Sequence, residues 1–179
     1  MTGRPRRLFF ALWPDEALRA ATVAATARAV GEAGGRTVPP ENLHVTLAFV
    51  GSVPEVRVAD AVAAGRTVPF ASGVQAFDRV TAWGRRGPLV LEATRLEAPL
   101  ATLQSSLENA LSTAGFALDR RAFRPHITLA REPARRPAPA APDAAGGSLA
   151  WPCTGFVLVD SDTGPGGSKY SVLERFGAS

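Results

Sequence analysis

The chain has two histidines, and both stand in the same short phrase. His44 lies in ENLHVTLAFVG, residues 41–51, and His126 in RPHITLARE, residues 124–132. Each is followed two positions later by a threonine, Thr46 or Thr128, and then by Leu-Ala. With 13 threonines in 179 residues, two such pairs arise by chance with a probability of roughly 0.005. A strand sends residues i and i+2 to the same side. Read as a strand, each phrase therefore presents an imidazole and a hydroxyl about 6.6–7 Å apart. Two such pairs can hold both sides of a small tetrahedral group.

Imidazole titrates near pH 6.5, so one of a pair is readily neutral while the other, facing a phosphate, is readily protonated. A neutral imidazole takes a proton from water and a protonated one gives a proton to a departing sugar oxygen. In-line displacement at phosphorus needs this combination, and it needs no metal. Thr46 and Thr128 would hydrogen-bond the non-bridging oxygens. Arg131 and Lys169 would neutralise the remaining charge, the arginine in bidentate fashion. Neither histidine has Asp, Glu or His at i+2 or i+4, and no H-E-x-x-H occurs, so a metal centre is the weaker reading. Glu132, six residues after His126, falls on the His126 face at the far end of that strand. A G-x-S-x-G nucleophile elbow is absent.

The elements that must position these groups are legible in outline. Residues 7–13 (RLFFALW) read as a buried strand stopped by Pro14. Residues 15–34 read as a helix, acidic at its start and ended by glycine. In 42–51, Leu43, Val45, Leu47 and Phe49 alternate with His44, Thr46 and Ala48, which argues for a strand with the first set on one face. Helices are expected over 54–68, opened by Pro54, and over 98–116, where Leu100, Leu103, Leu107 and Leu111 share a face. Strands are expected over 70–84, 87–94 and 126–132, and over 154–162 and 169–176 around TGPGGS, residues 163–168. That glycine-rich stretch does not fit a phosphate-binding Walker loop, because a strand-like segment follows it. Residues 133–147 are rich in Pro and Ala and read as a surface loop without packed structure. The order mixes helices and strands without βαβ alternation, which is an α+β pattern, in one domain spanning 1–179.

Composition narrows the setting. Hydrophobic residues make up 46% and charged residues 20%, a balance that supports a core. The formal net charge is +4, carried by 19 Arg and one Lys, which suits a polyanionic or phosphate-bearing partner. The single cysteine, Cys153, permits no internal disulfide and fits a reducing compartment. No apolar stretch approaches a membrane span, and the run after the basic start is too short for a signal peptide. A cytoplasmic protein and a monomer are expected.

Four phrases together, RLFFAL, ENLHVTLAFVG, FRPHITLAR and KYSVLERF, resemble the two-histidine (2H) phosphoesterases in their order along nearly the whole chain. Within that superfamily they are similar to the bacterial and archaeal RNA 2′,3′-cyclic phosphodiesterases, also described as 2′-5′ RNA ligases. The resemblance implies a bilobal α+β fold. Two pseudo-symmetric antiparallel or mixed sheets carry helices outside, and each gives one His-x-Thr strand to a central cleft. It implies hydrolysis of RNA or nucleoside 2′,3′-cyclic phosphates to 2′-phosphates, without cofactor or metal, with weak reverse 2′-5′ ligation. It assigns His44 as proton donor and His126 as proton acceptor. Arg131 matches the basic residue after the second motif. Lys169 and Tyr170 match a basic–aromatic pair near the end of the chain, where the family often has Arg at the position of Lys169. Phe9 and Tyr170 are weaker candidates for substrate contact, with core packing the commoner fate of Phe9 and Phe10. Trp13, Trp83 and Trp151 are expected to pack, and Arg85 and Arg86 to form an exposed basic turn. The alternatives are a 2H enzyme acting on another cyclic phosphate or a 2′-5′ linkage, and a non-catalytic RNA-binding module.

Overall fold

A computed structural model describes residues 4–118, 121–164 and 167–177. Strand β1 (Arg6–Leu12) leads into helix α1 (Glu16–Ala33), and a two-residue strand β2 (Arg36–Thr37) follows. Strand β3 (Val45–Val53) begins directly after His44, later than the expected 42, because Pro40–Asn42 form a short 3-10 turn, and helix α2 (Val58–Arg66) comes after it. Three strands come next, β4 (Gly73–Phe77), β5 (Arg79–Ala82) and β6 (Leu89–Glu92). Helix α3 (Ala98–Thr113) precedes β7 (His126–Arg131), which carries the second motif. Strands β8 (Leu149–Cys153), β9 (Gly155–Gly164) and β10 (Gly167–Gly177) finish the chain.

All recorded strand pairings are antiparallel. The main sheet runs β10-β9-β1-β3-β7-β6-β5, with β2 on β7, and a separate ribbon joins β4 to β8. The main sheet has two halves. One half is β10-β9-β1-β3 and the other is β7-β6-β5, and they are joined by a single pair, Val45 with Ile127. These are the residues that follow the two histidines. The duplicated phrase is thus the point where two lobes of an α+β fold meet, as the resemblance implied.

One face of the sheet carries the main core. Leu8, Phe10 and Leu12 of β1, Val45 and Leu47 of β3, Ile127 and Leu129 of β7 and Leu89 and Leu91 of β6 pack with Leu100, Leu103, Leu107 and Leu111 of α3. Burying one such side chain is worth about 1.5–3 kcal/mol. Helix α1 is capped by Asp15, whose carboxylate accepts from the Leu18 N–H at 2.7 Å, and it ends at Gly34 with φ of 63°. On the other face, Phe9, Ala11, Val157 and Val159 form a second, smaller cluster with Trp13, Tyr170 and Val172.

Four expectations change here. The segment 70–84 is two strands in two different sheets, broken at Asp78, which turns the chain. Residues 149–153 form a strand that the sequence reading left out. The Pro/Ala-rich stretch 133–147 lies at the surface, but it is tied to the fold. The Asp143 N–H bonds the Ala25 carbonyl, the Arg135 N–H bonds the Ala33 carbonyl, and Ala140 pairs with Val80. The Asp143 carboxylate also holds Arg28 at 2.9 Å. The fourth change is in β3, where Phe49 does not face the core with Val45 and Leu47 but is 52% exposed. In the stretch 163–168, residues 165 and 166 lie outside the described residues. The flanking strands form the β9–β10 hairpin, as expected.

Candidate active site

Phe49 is turned outward by a β-bulge, and the same bulge occurs in the second motif. Phe10 pairs with Ala48 and Ala11 with Thr46, so Leu47 is an extra residue in β3. Leu89 pairs with Ala130 and Val90 with Thr128, so Leu129 is an extra residue in β7. In each strand the extra leucine and the alanine after it both point into the main core. Two neighbours on one face leave room for only one large side chain, which accounts for the small alanine in "TLA". The alternation then resumes one residue out of phase. Strict alternation would put Arg131 on the core face and Glu132 beside His126. The bulge places Arg131 with His126 and Thr128 and sends Glu132 away, where it pairs with Arg36 at 3.4 Å. The expectation for Glu132 fails for that reason, and its backbone φ is 51°.

Continued by one residue either way from the Val45–Ile127 pair, the antiparallel register brings Thr128 opposite His44 and Thr46 opposite His126. The two imidazoles are then diagonal neighbours, whose backbones lie about 7–8 Å apart in such a ladder. Both histidines are half-buried. Their rings are fixed in the same way. The Nδ1–H of His44 donates to the Asn42 carbonyl at 2.7 Å, and that of His126 to the Arg124 carbonyl at 2.7 Å. A carbonyl can only accept, so each Nδ1 holds the hydrogen and each Nε2 is left to exchange protons. The Nε2 of His44 lies 3.1 Å from the Thr46 Oγ1.

Burial and neighbouring charge lower both rings. Burial pushes His44 down to about 4, against the Asn42 hydrogen bond, and the positive charges of His126 and Arg131 act in the same direction as burial. Burial also lowers His126. There the Arg124 carbonyl bond resists, the Arg124 charge adds to the lowering, and Glu92 opposes it. Arg131 is therefore near enough to be felt at His44.

The remaining candidates divide. Tyr170 meets the His44 ring edge-on at 5.3 Å. Phe9 is 2% exposed and lies 4.9 Å from His44, so it supports the imidazole from beneath and offers no surface to a substrate. Phe10 is a core residue. Lys169 is exposed and, by strand alternation, lies on the face of β10 opposite Tyr170, across from Asp162. Trp151 is 1% exposed and packs, as expected. Trp13 and Trp83 are at the histidines instead. Trp13 stacks on His44 at 5.7 Å and 17°, and the Trp83 ring lies 4.3 Å from His126. Arg85 and Arg86 form an exposed turn. Sequence reasoning missed Asn42, Arg124 and Glu92. The first two stand two residues before each histidine, a spacing that the repeat itself displays.

Among the described residues, no group of three or more His, Cys, Asp or Glu side chains is placed to hold a metal ion. No helix among them is long and apolar enough to cross a membrane.

The paired motifs, one per lobe, agree with the likeness to known proteins. A sequence profile of the 2′-5′ RNA ligase superfamily matches residues 14–165. The chain belongs to this superfamily. It is 35% identical to the RNA 2′,3′-cyclic phosphodiesterase of Thermus thermophilus over 95% of this chain and 89% of that protein. It is 30% identical to the Escherichia coli protein of the same description over 97% of both. Among solved structures, E. coli LigT in apo form superposes with a TM-score of 0.84 at 27% identity, covering 97% of this chain and 98% of that one. LigT complexed with 3′-AMP gives 0.80 at 26% identity, with the same coverage.

Proposed function

We propose that this chain hydrolyses 2′,3′-cyclic phosphates at RNA ends or on nucleosides to 2′-phosphates. The observation that carries the reading is the pair Val45–Ile127, whose register brings the two His-x-Thr phrases side by side where the lobes join. Water attacks phosphorus in line with the 3′ oxygen. The Nε2 of His126 takes the proton from that water as the P–O3′ bond breaks, and the Nε2 of His44 gives its proton to O3′. His44 is neutral in the free protein, and the bound phosphate anion favours its protonated form. Thr46 and Thr128 donate to the non-bridging oxygens, and Arg131 balances their charge. In 2′-5′ ligation a 5′-hydroxyl takes the place of water with the same two roles, His126 accepting its proton and His44 protonating O3′, and only cleavage of that linkage back to the cyclic phosphate exchanges them. A cytoplasmic setting, which the lone, buried Cys153 fits, and action as a monomer complete the reading.

The test is turnover of 2′,3′-cyclic AMP in the presence of EDTA, with product identified by its 2′-phosphate. His44→Ala and His126→Ala should each lower kcat by about 10²–10⁴. Full activity in either variant, or loss of wild-type activity to the chelator, overturns the mechanism.

A further inference from the structure

The two lobes repeat each other around Val45–Ile127, and the repeat breaks at one pair of positions beside the histidines. The register that joins Leu12 to Val45 brings Trp13 beside His44. The equivalent partner of His126 is Glu92, on β6. At this paired position one lobe therefore carries an indole and the other a carboxylate, and the indole at His126 comes instead from Trp83. Glu92 is 3% exposed, and its carboxylate is filled with donors. Arg79 gives Oε1 a bond at 2.8 Å. Trp83 Nε1 and Arg124 Nη2 reach Oε2 at 2.8 and 2.9 Å. Two of these donors also hold His126. The Trp83 ring lies 4.3 Å from it, the Arg124 carbonyl accepts its Nδ1–H, and the Arg124 guanidinium lies 4.5 Å over Trp83.

We propose that Glu92 is a positioning residue of this site: it fixes Trp83 and Arg124 against His126 and stabilises the imidazolium that forms there. A buried carboxylate is retained only where donors compensate it, and here the donors are the walls of the histidine site. When His126 takes a proton from water it becomes a cation next to Arg124. His44 across the gap and Arg131 on its own strand add positive charge, and Arg79 on β5 offsets part of the Glu92 charge. Glu92 supplies the opposing negative charge from β6, as an acid does for the histidine of a hydrolase triad. In the other lobe Trp13 gives His44 a stacked ring without formal charge, so the two imidazoles differ although their phrases match.

The inference rests on His126 as the proton acceptor, and the experiment separates the two claims. With only two histidines, the C2 protons give two resonances in ¹H NMR, assigned with His44→Gln. Glu92→Gln should move the His126 titration midpoint down and leave that of His44 nearly in place. It should lower kcat by on the order of tenfold, a fraction of what acid–base catalysis supplies, with little change in KM. Glu92→Asp should recover most of both. Arg79→Gln, which leaves Glu92 less compensated, should move the His126 midpoint up. A folded Glu92→Gln protein with an unmoved His126 midpoint overturns the proposal, as does an Arg79→Gln midpoint that stays or falls. If Glu92→Gln does not fold, the Arg79→Gln titration decides. These titrations read the imidazole whatever the substrate, whereas full activity in His126→Ala would overturn only the acceptor role.

Discussion

Arg131 and Lys169 carry the same charge, and the strands give them different faces. Arg131 is turned to the motif side by the bulge at Leu129, while Lys169 lies behind Tyr170. A charge-assisted hydrogen bond is worth about 1.5–3 kcal/mol. Arg131→Ala should therefore lower kcat/KM for a cyclic nucleotide by roughly 10–100-fold. Arg131→Lys should recover only part, because a point charge replaces a fork. Lys169→Ala should lose less than about threefold, since exposed charges contribute little. Steady-state kinetics on the three variants check the order. A larger loss at Lys169 than at Arg131 would contradict these faces. The two repeated phrases were legible in the sequence because residue type and spacing mark them, and the structure sets them side by side. Phe9, Trp13 and Trp83 were not, because composition does not say which aromatic ring lies under a histidine and which lies in the core.

At the scale of the element, the repeated Leu-Ala is the signature of the bulge, and its small residue is the weak point. Ala130 is 0% exposed and shares the core face with Leu129. Ala130→Val should cost about 1–3 kcal/mol through overpacking. It should also disturb the turn that aims Arg131, so kcat/KM should fall further than thermal stability predicts. Ala48→Val, at the matching place in β3, should cost similar stability while Arg131 keeps its aim. Paired thermal melts and kinetics separate the effects. Helices and most strands were readable from periodicity, and the bulges were not, since an extra residue shows only against a partner strand. Strand β8 did alternate, with Leu149, Trp151 and Cys153 buried, but Pro152 and the Pro/Ala run before it hid the pattern. Pro is tolerated there because β8 belongs to a two-stranded ribbon. The anchoring of 133–147 rests on backbone bonds to Ala25, Ala33 and Val80, which no local composition reports.

For the whole molecule, joining the lobes at Val45–Ile127 means that folding itself takes the histidines out of water. His44 has an ordinary value of 6.5 when unfolded and about 4 when folded. Between these values the unfolded chain binds the extra proton, so stability rises with pH. The contribution is complete above about pH 6.5, is lost as pH falls through this window, and is gone below about 4. Its full size is on the order of 3 kcal/mol as an upper bound. His126 shifts in the same direction and adds to the slope. Asp78, whose burial is outweighed by Thr94 hydrogen bonds, and Asp143, bonded by Arg28, are held below the ordinary carboxylate value of 3.8. Their contributions are lost only at lower pH. Urea unfolding of the wild type should therefore lose stability steadily from pH 7 to 4. His44→Gln should show a shallower slope over the same range, because glutamine has no proton to gain. Parallel slopes for the two proteins would mean that His44 is as well hydrated in the folded state as in the unfolded one. An imidazole so exposed could not sit between Phe9, Trp13 and Tyr170.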